Sequence, residues 1–259
     1  MLRPLTDDAR EAIAASPFTA AGLPAQVVRA LVEEGFERPS PIQAEVLPHA
    51  CAGGDVIGCA QTGTGKTAAF ALPIVAQLAA NRDDEGRDRS NVEQRSSYDR
   101  GASGATRPIR VLVLTPTREL AAQVFNAFRT FGRYVGVRAA VIYGGVSQRP
   151  QEAALRHRPD VLVATPGRLM DLIRQGFVDL AHVRHLVLDE ADRMLDMGFV
   201  HDIRRVVAML PQERQTLLFS ATMAPAVETL ARGMMRSPLR VSIAPKETSS
   251  RSVEQSVVF

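Results

Sequence analysis

The chain has 259 residues, 46% hydrophobic and 23% charged, with 31 Lys and Arg against 28 Asp and Glu for a net charge of +3. That length closes one large core, and a balance so near neutrality permits a nucleic-acid partner without demanding one. No stretch approaches the roughly 18 apolar residues of a membrane span, no cationic start precedes an apolar run, and Cys51 and Cys59 fit no zinc spacing, so the expectation is a cytoplasmic monomer with reduced thiols and no membrane contact.

In chain order, the first continuous aliphatic run is "DVIGCA" at 55–60, followed by the glycine-rich "QTGTGKT" and a helical pattern, "TAAFALPIVAQLAA". Residues 81–107 break the rhythm: six arginines and six acids with Ser and Gly leave little to bury, which predicts a disordered surface insertion. "RVLVLT" at 110–115 leads into the helical "TRELAAQVFNAFRTFGRYV". "VRAAVIY" at 137–143, "DVLVAT" at 160–165, "HLVLDE" at 185–190, "QTLLFSA" at 215–221 and "PLRVSI" at 238–243 follow, with the helical "ETLARGMMRS" before the last. Continuous rather than alternating runs mark strands buried on both faces, and strand–helix alternation marks crossover units. The predicted fold is α/β, a mostly parallel sheet sandwiched between helices. Residues 244–259 turn polar and then apolar, as a linker and the start of another strand would.

Two stretches carry chemistry. In Gln61-Thr62-Gly63-Thr64-Gly65-Lys66-Thr67, glycines let backbone N–H groups approach a polyphosphate, Lys66 brings a point charge, and Thr67 offers a hydroxyl to Mg²⁺. The generic loop begins with glycine, whereas this one begins with Ala60. "HLVLDEAD" ends a buried strand in Asp189 and Glu190. Asp189 at that rim is placed to hold Mg²⁺, partly through water, and Glu190 to orient and deprotonate an attacking water.

"DEAD" at 189–192, "AQTGTGKT" at 60–67, "GFERPSPIQ" at 35–43, "PTREL" at 116–120, "GG" at 144–145, "TPGR" at 165–168 and "SAT" at 220–222 occur in fixed order. Together they resemble the DEAD-box RNA helicases, whose phosphate loop begins with alanine, and "DEADRMLDMGFVHDIRRV" looks most like the bacterial RhlE-type subgroup. The resemblance implies a RecA-like phosphate-loop NTPase domain over 1–243, with a Q motif at 17–45. It also implies a second RecA-like domain, missing from this chain, that would begin within 244–259. ATP and Mg²⁺ are the implied ligands. Gln43 would read the adenine edge and Phe18 would stack on the base, with Phe36 and Arg38 beside them. Lys66, Asp189 and Glu190 would be catalytic. Pro116, Thr117, Arg118, Gly144, Gly145, Thr165, Pro166, Gly167 and Arg168 would grip an RNA backbone independently of its sequence. Asp192, Ser220, Ala221 and Thr222 would couple the metal site to domain closure. The arginine-rich H-R-x-G-R-x-G-R motif of the second domain is absent, and "ARGMM" at 231–235 has Met235 where the comparable A-R-G-x-D motif has Asp. The expected function is the ATP-binding half of an RNA helicase that remodels short duplexes as an RNA-dependent ATPase. The alternatives are a nucleotide-gated RNA clamp and a DNA translocase.

Overall fold

All seven aliphatic runs become strands. The computed structural model describes residues 6–92 and 108–243. Four helices lead: α1 (Asp7–Ala15), α2 (Pro17–Ala20), α3 (Ala25–Glu33) and α4 (Pro41–Cys51). β1 (Val56–Cys59) feeds α5 (Lys66–Val92), and β2 (Val111–Leu114) feeds α6 (Arg118–Phe131). β3 (Ala139–Ile142), α7 (Arg149–Arg156), β4 (Val161–Ala164) and α8 (Pro166–Arg174) repeat the unit. β5 (His185–Leu188), α9 (Ala191–Asp196), α10 (Val200–Ala208), β6 (Gln215–Ser220), α11 (Pro225–Arg232) and β7 (Leu239–Ser242) follow.

The strands form one sheet in the order β3-β4-β2-β5-β6-β1-β7, every pair parallel. β2, β4, β5 and β6 are buried at every residue, whereas the edge strands β3 and β7 are only partly covered. Alternation sorts each strand between two cores: Val111 and Val113 pack with Phe70 and Phe128, while Leu112 and Leu114 pack with Leu169 and Met194 on the other face. Gly58 shows how tight the first core is, since a Cβ there would lie 2.5 Å from the Phe219 ring. Because all strands are parallel, their carboxyl ends share one rim, where successive strands are spaced about 4.8 Å apart.

One expectation is corrected. α5 continues to Val92, so residues 81–92 of the expected insertion are helical. A nucleated helix gains a hydrogen bond for each residue it adds, so it can run on past the apolar residues that anchor it. Residues 93–107 of that insertion, and the linker expected at 244–259, lie outside the described residues. Among the described residues no helix is long and apolar enough to cross a membrane.

Candidate active site

The phosphate loop leaves β1 at Cys59, and the Ala60 N–H donates to Ser220 O at 3.1 Å, fixing the loop's start against the end of β6. Ala60 is 2% exposed and its methyl belongs to the core, so the residue that opens the loop here packs inward. Gln61, Thr62 and Gly63 are exposed, and the Thr64 hydroxyl donates back to Gln61 O at 2.8 Å. Gly65 has a φ of 93°, and a Cβ there would meet Gln43 Nε2 at 2.5 Å and Ser40 Oγ at 2.9 Å. Only glycine satisfies both the backbone angle and the space.

α4 holds the loop in place. The Ser40 hydroxyl donates to Thr64 O at 2.8 Å, and Gln43 Nε2 donates to Gly65 O at 3.1 Å. Gln43 Oε1 in turn accepts the Ser40 N–H at 3.0 Å, so both ends of the amide are engaged. Phe36, Arg38, Ser40, Gln43, Gly63 and Gly65 line a cleft of about 640 Å³ between α4 and the loop. The Phe36 ring rests edge-on against Phe131 at 5.8 Å. Phe18 is not at this cleft. Ser16 caps α2 and accepts the Phe18 N–H at 3.3 Å, and the ring is fully buried in the core. Phe36, not Phe18, is therefore the aromatic a base could reach.

Beneath the loop, Lys66 is 7% exposed and its Nζ donates to Ala60 O at 2.7 Å. Asp189, one residue past β5, is 2% exposed, and its Oδ1 is buried without a hydrogen-bond partner. Burial pushes its pKa up to about 7; the nearby Lys66 ammonium opposes that rise and the Glu190 carboxylate adds to it. An unsatisfied buried carboxylate oxygen near a lysine, with the half-buried Thr67 opening α5, suits a divalent cation. Glu190 takes a left-handed backbone, φ 56°, at the start of α9, and its Oε2 pairs with Arg193 at 3.2 Å.

The neighbouring "SAT" and "DEAD" stretches are joined by hydrogen bonds. Asp192 Oδ2 accepts the Thr222 N–H at 2.9 Å and its hydroxyl at 3.0 Å, and the Asp192 N–H donates to the buried Ser220 Oγ at 3.2 Å. Burial alone would raise the Asp192 pKa, but the hydrogen bonds from Ser220 and Thr222 and from backbone N–H groups hold it below its usual range. Ala221 is exposed, and its carbonyl accepts from Cys59 Sγ at 3.5 Å.

The residues expected to meet RNA occupy the other half of the same rim, after β2, β3 and β4. Pro116 is buried, Thr117 caps α6 by accepting the Leu120 N–H at 3.3 Å, and the exposed Arg118 pairs with Glu119 at 2.6 Å. Gly144 and Gly145 are exposed after β3. Thr165 and Pro166 are buried at the start of α8, with Gly167 half-buried behind them. Arg168 Nη2 donates to Val146 O at 3.2 Å, while its Nη1 is buried without a partner. Counting strands, β4 and β1 are four steps, or about 19 Å, apart, with the β2, β5 and β6 ends between them.

Three contributors were not singled out in the sequence: Ser40, Phe131 and Arg193. Ser40 stands three residues before Gln43, which is a capping-box spacing, and Arg193 stands at i+3 from Glu190. Phe131 left no local signal.

An all-parallel sheet carrying a glycine loop, a buried lysine and an unpartnered strand-end aspartate on one rim defines a RecA-like phosphate-loop NTPase domain. Residues 40–230 match the DEAD/DEAH box helicase family. The chain is 42% identical over 240 residues to the ATP-dependent RNA helicase DeaD of Klebsiella pneumoniae, covering 92% of this chain and 34% of that protein. It is 42% identical over 247 residues to the DEAD-box ATP-dependent RNA helicase 52A of Oryza sativa subsp. japonica, covering 94% of this chain and 40% of that one. A crystal structure of a hypothetical ATP-dependent RNA helicase from Sulfolobus tokodaii superposes with a TM-score of 0.69 at 32% identity, over 84% of this chain and 56% of that one. The chain belongs to the DEAD/DEAH box helicase family. It spans about a third of the length of the DeaD relatives it matches. The RhlE-type likeness is a finer distinction than these matches draw.

Proposed function

We propose that the chain is the nucleotide-binding half of an ATP-dependent RNA helicase, completed by a second RecA-like domain. The observation that carries this reading is the buried Lys66, whose charge reaches the unpartnered Asp189, beneath a loop braced by α4. ATP would lie in the cleft with its base against Phe36 and its phosphates over the N–H groups of Gly63–Thr67, at the start of α5. Lys66 would exchange the Ala60 carbonyl for a phosphate oxygen. Asp189 and Thr67 would hold Mg²⁺, which when bound neutralises phosphate charge. Glu190 would take the proton of the attacking water. Arg118 and Arg168 would contact the RNA backbone along the opposite half of the rim, where shape and phosphates, not base edges, are read.

A titration of labelled single-stranded RNA, with and without a non-hydrolysable ATP analogue, tests the reading. The chain alone should bind RNA weakly, with a log–log salt slope of about −2 for some three phosphates. The analogue should leave that affinity unchanged, because coupling needs a two-state element that both ligands bias. The full-length protein should show a large increase. A comparable increase in the chain alone, or duplex unwinding by it, would refute the half-enzyme reading.

A further inference from the structure

Arg193 pairs with Glu190 at 3.2 Å, and a second ion pair, Arg118 with Glu119 at 2.6 Å, leaves the neighbouring strand. β2 and β5 are adjacent, with Leu114 in register with Leu188, and the Asp189 N–H donates to Leu114 O at 3.0 Å. Four and five residues past those partners stand Arg118 and Glu119 on one strand's exit and Arg193 on the other's. Arg118 is the main influence holding the Glu119 carboxyl below its usual range, through a hydrogen bond, and the Arg193 charge adds to it. Four charges therefore alternate along the boundary between the two halves of the rim: Arg118, Glu119, Arg193 and Glu190. The two outer members are the ones assigned to RNA and to the attacking water, and the two inner members have no other assignment.

We propose that Arg193 is a positioning residue that exchanges between two carboxylates, paired with Glu190 when Glu119 is held by Arg118 and drawn to Glu119 when an RNA phosphate takes Arg118. RNA arrival would thereby release the Glu190 carboxylate from its ion pair. Arg193 and Glu119 are exposed side chains, at 58% and 65%, and Glu190, at 15%, caps the start of α9. Ion pairs this exposed are individually weak, so the exchange is close to balanced and one phosphate contact can tip it.

The inference rests on the RNA-binding reading above, and an RNA titration on this chain without nucleotide or metal separates the two. Arg193→Ala should weaken RNA binding, because Glu119 loses its alternative partner, and Glu190→Gln should tighten it by freeing Arg193. Each effect should be about threefold, the scale of an exposed ion pair. The decisive measurements are the double variants. Glu190→Gln should have no effect when Arg193 is Ala, and the Arg193→Ala effect should shrink when Glu119 is Gln. Arg193→Lys, which keeps the charge, should restore the wild-type pattern. A residue that merely adds positive surface would weaken binding by the same factor in every background, so multiplicative effects would overturn the exchange and leave the RNA reading standing. Absence of salt-dependent RNA binding by the unaltered chain would overturn both. Thermal melts of the variants check that each remains folded.

Discussion

Asp189 should be a liability to the empty fold, and the liability should depend on pH. In the fold its pKa is pushed up to about 7, against 3.8 for an exposed aspartate, chiefly by burial. Well below pH 3.8 the carboxyl is protonated whether the chain is folded or not, so it contributes nothing. Between pH 4 and 7 the unfolded chain ionises freely while the folded one resists, so stability falls as pH rises. Above pH 7 both are ionised and the penalty is constant. At 1.36 kcal/mol per decade across that gap, it amounts to about 4 kcal/mol. Asp189→Asn keeps the shape and cannot ionise. In urea melts with a chelator present, its unfolding free energy should match wild type near pH 4 and exceed it by ~4 kcal/mol near pH 8. Other titrating groups cancel in the difference between the two proteins. A difference that does not change with pH would mean the carboxylate is not desolvated, and the argument for a cation at this position would lose its foundation.

His185 gives a second pH test at the opposite end of the sheet. Burial drives its pKa down to about 4 despite a hydrogen bond with Gln215, so its contribution is intact above pH 6.5 and is lost as pH falls toward 4, by roughly 3 kcal/mol; His185→Gln should flatten that part of the urea-melt profile. Phe18→Ala should lower unfolding free energy by ~3–5 kcal/mol with little effect on nucleotide affinity, whereas Phe36→Ala should weaken ATP binding by about 1–3 kcal/mol in calorimetry. The opposite assignment would return Phe18 to the cleft. Gln43→Ala should weaken ATP more than GTP and also lower stability by ~1–3 kcal/mol, since the Ser40 N–H and Gly65 carbonyl lose their partner. An unchanged melt would show that the amide does not brace the loop.

The sheet was legible because burial on both faces writes itself into unbroken aliphatic runs such as "VLVL" and "HLVL". The loop and the "DEAD" stretch were legible because their residue types have few other uses in that order. What stayed hidden depends on contacts between residues distant in the chain. Phe18 reads equally well as a stacking ring or a core ring until α2 is seen to turn it inward. Gln43 reads as a free amide until Gly65, 22 positions away, is found against it. Arg193 reads as one charge among many on a helix, because the proximity of the β2 and β5 exits is a property of strand order, not of local sequence. The charged stretch after α5's apolar turns was misread up to Val92, because lack of buriable surface does not by itself end a helix already under way.

The brace that α4 places on the phosphate loop also bears on time. Ser40 and Gln43 hold the carbonyls of Thr64 and Gly65 in place, so the loop's inward turns exist before any ligand arrives. A receptor already shaped has little ordering left to wait for. Nucleotide encounter should then run at a rate set by diffusion and orientation, and differences between nucleotides should appear as differences in residence, with the wrong base leaving sooner and not entering later.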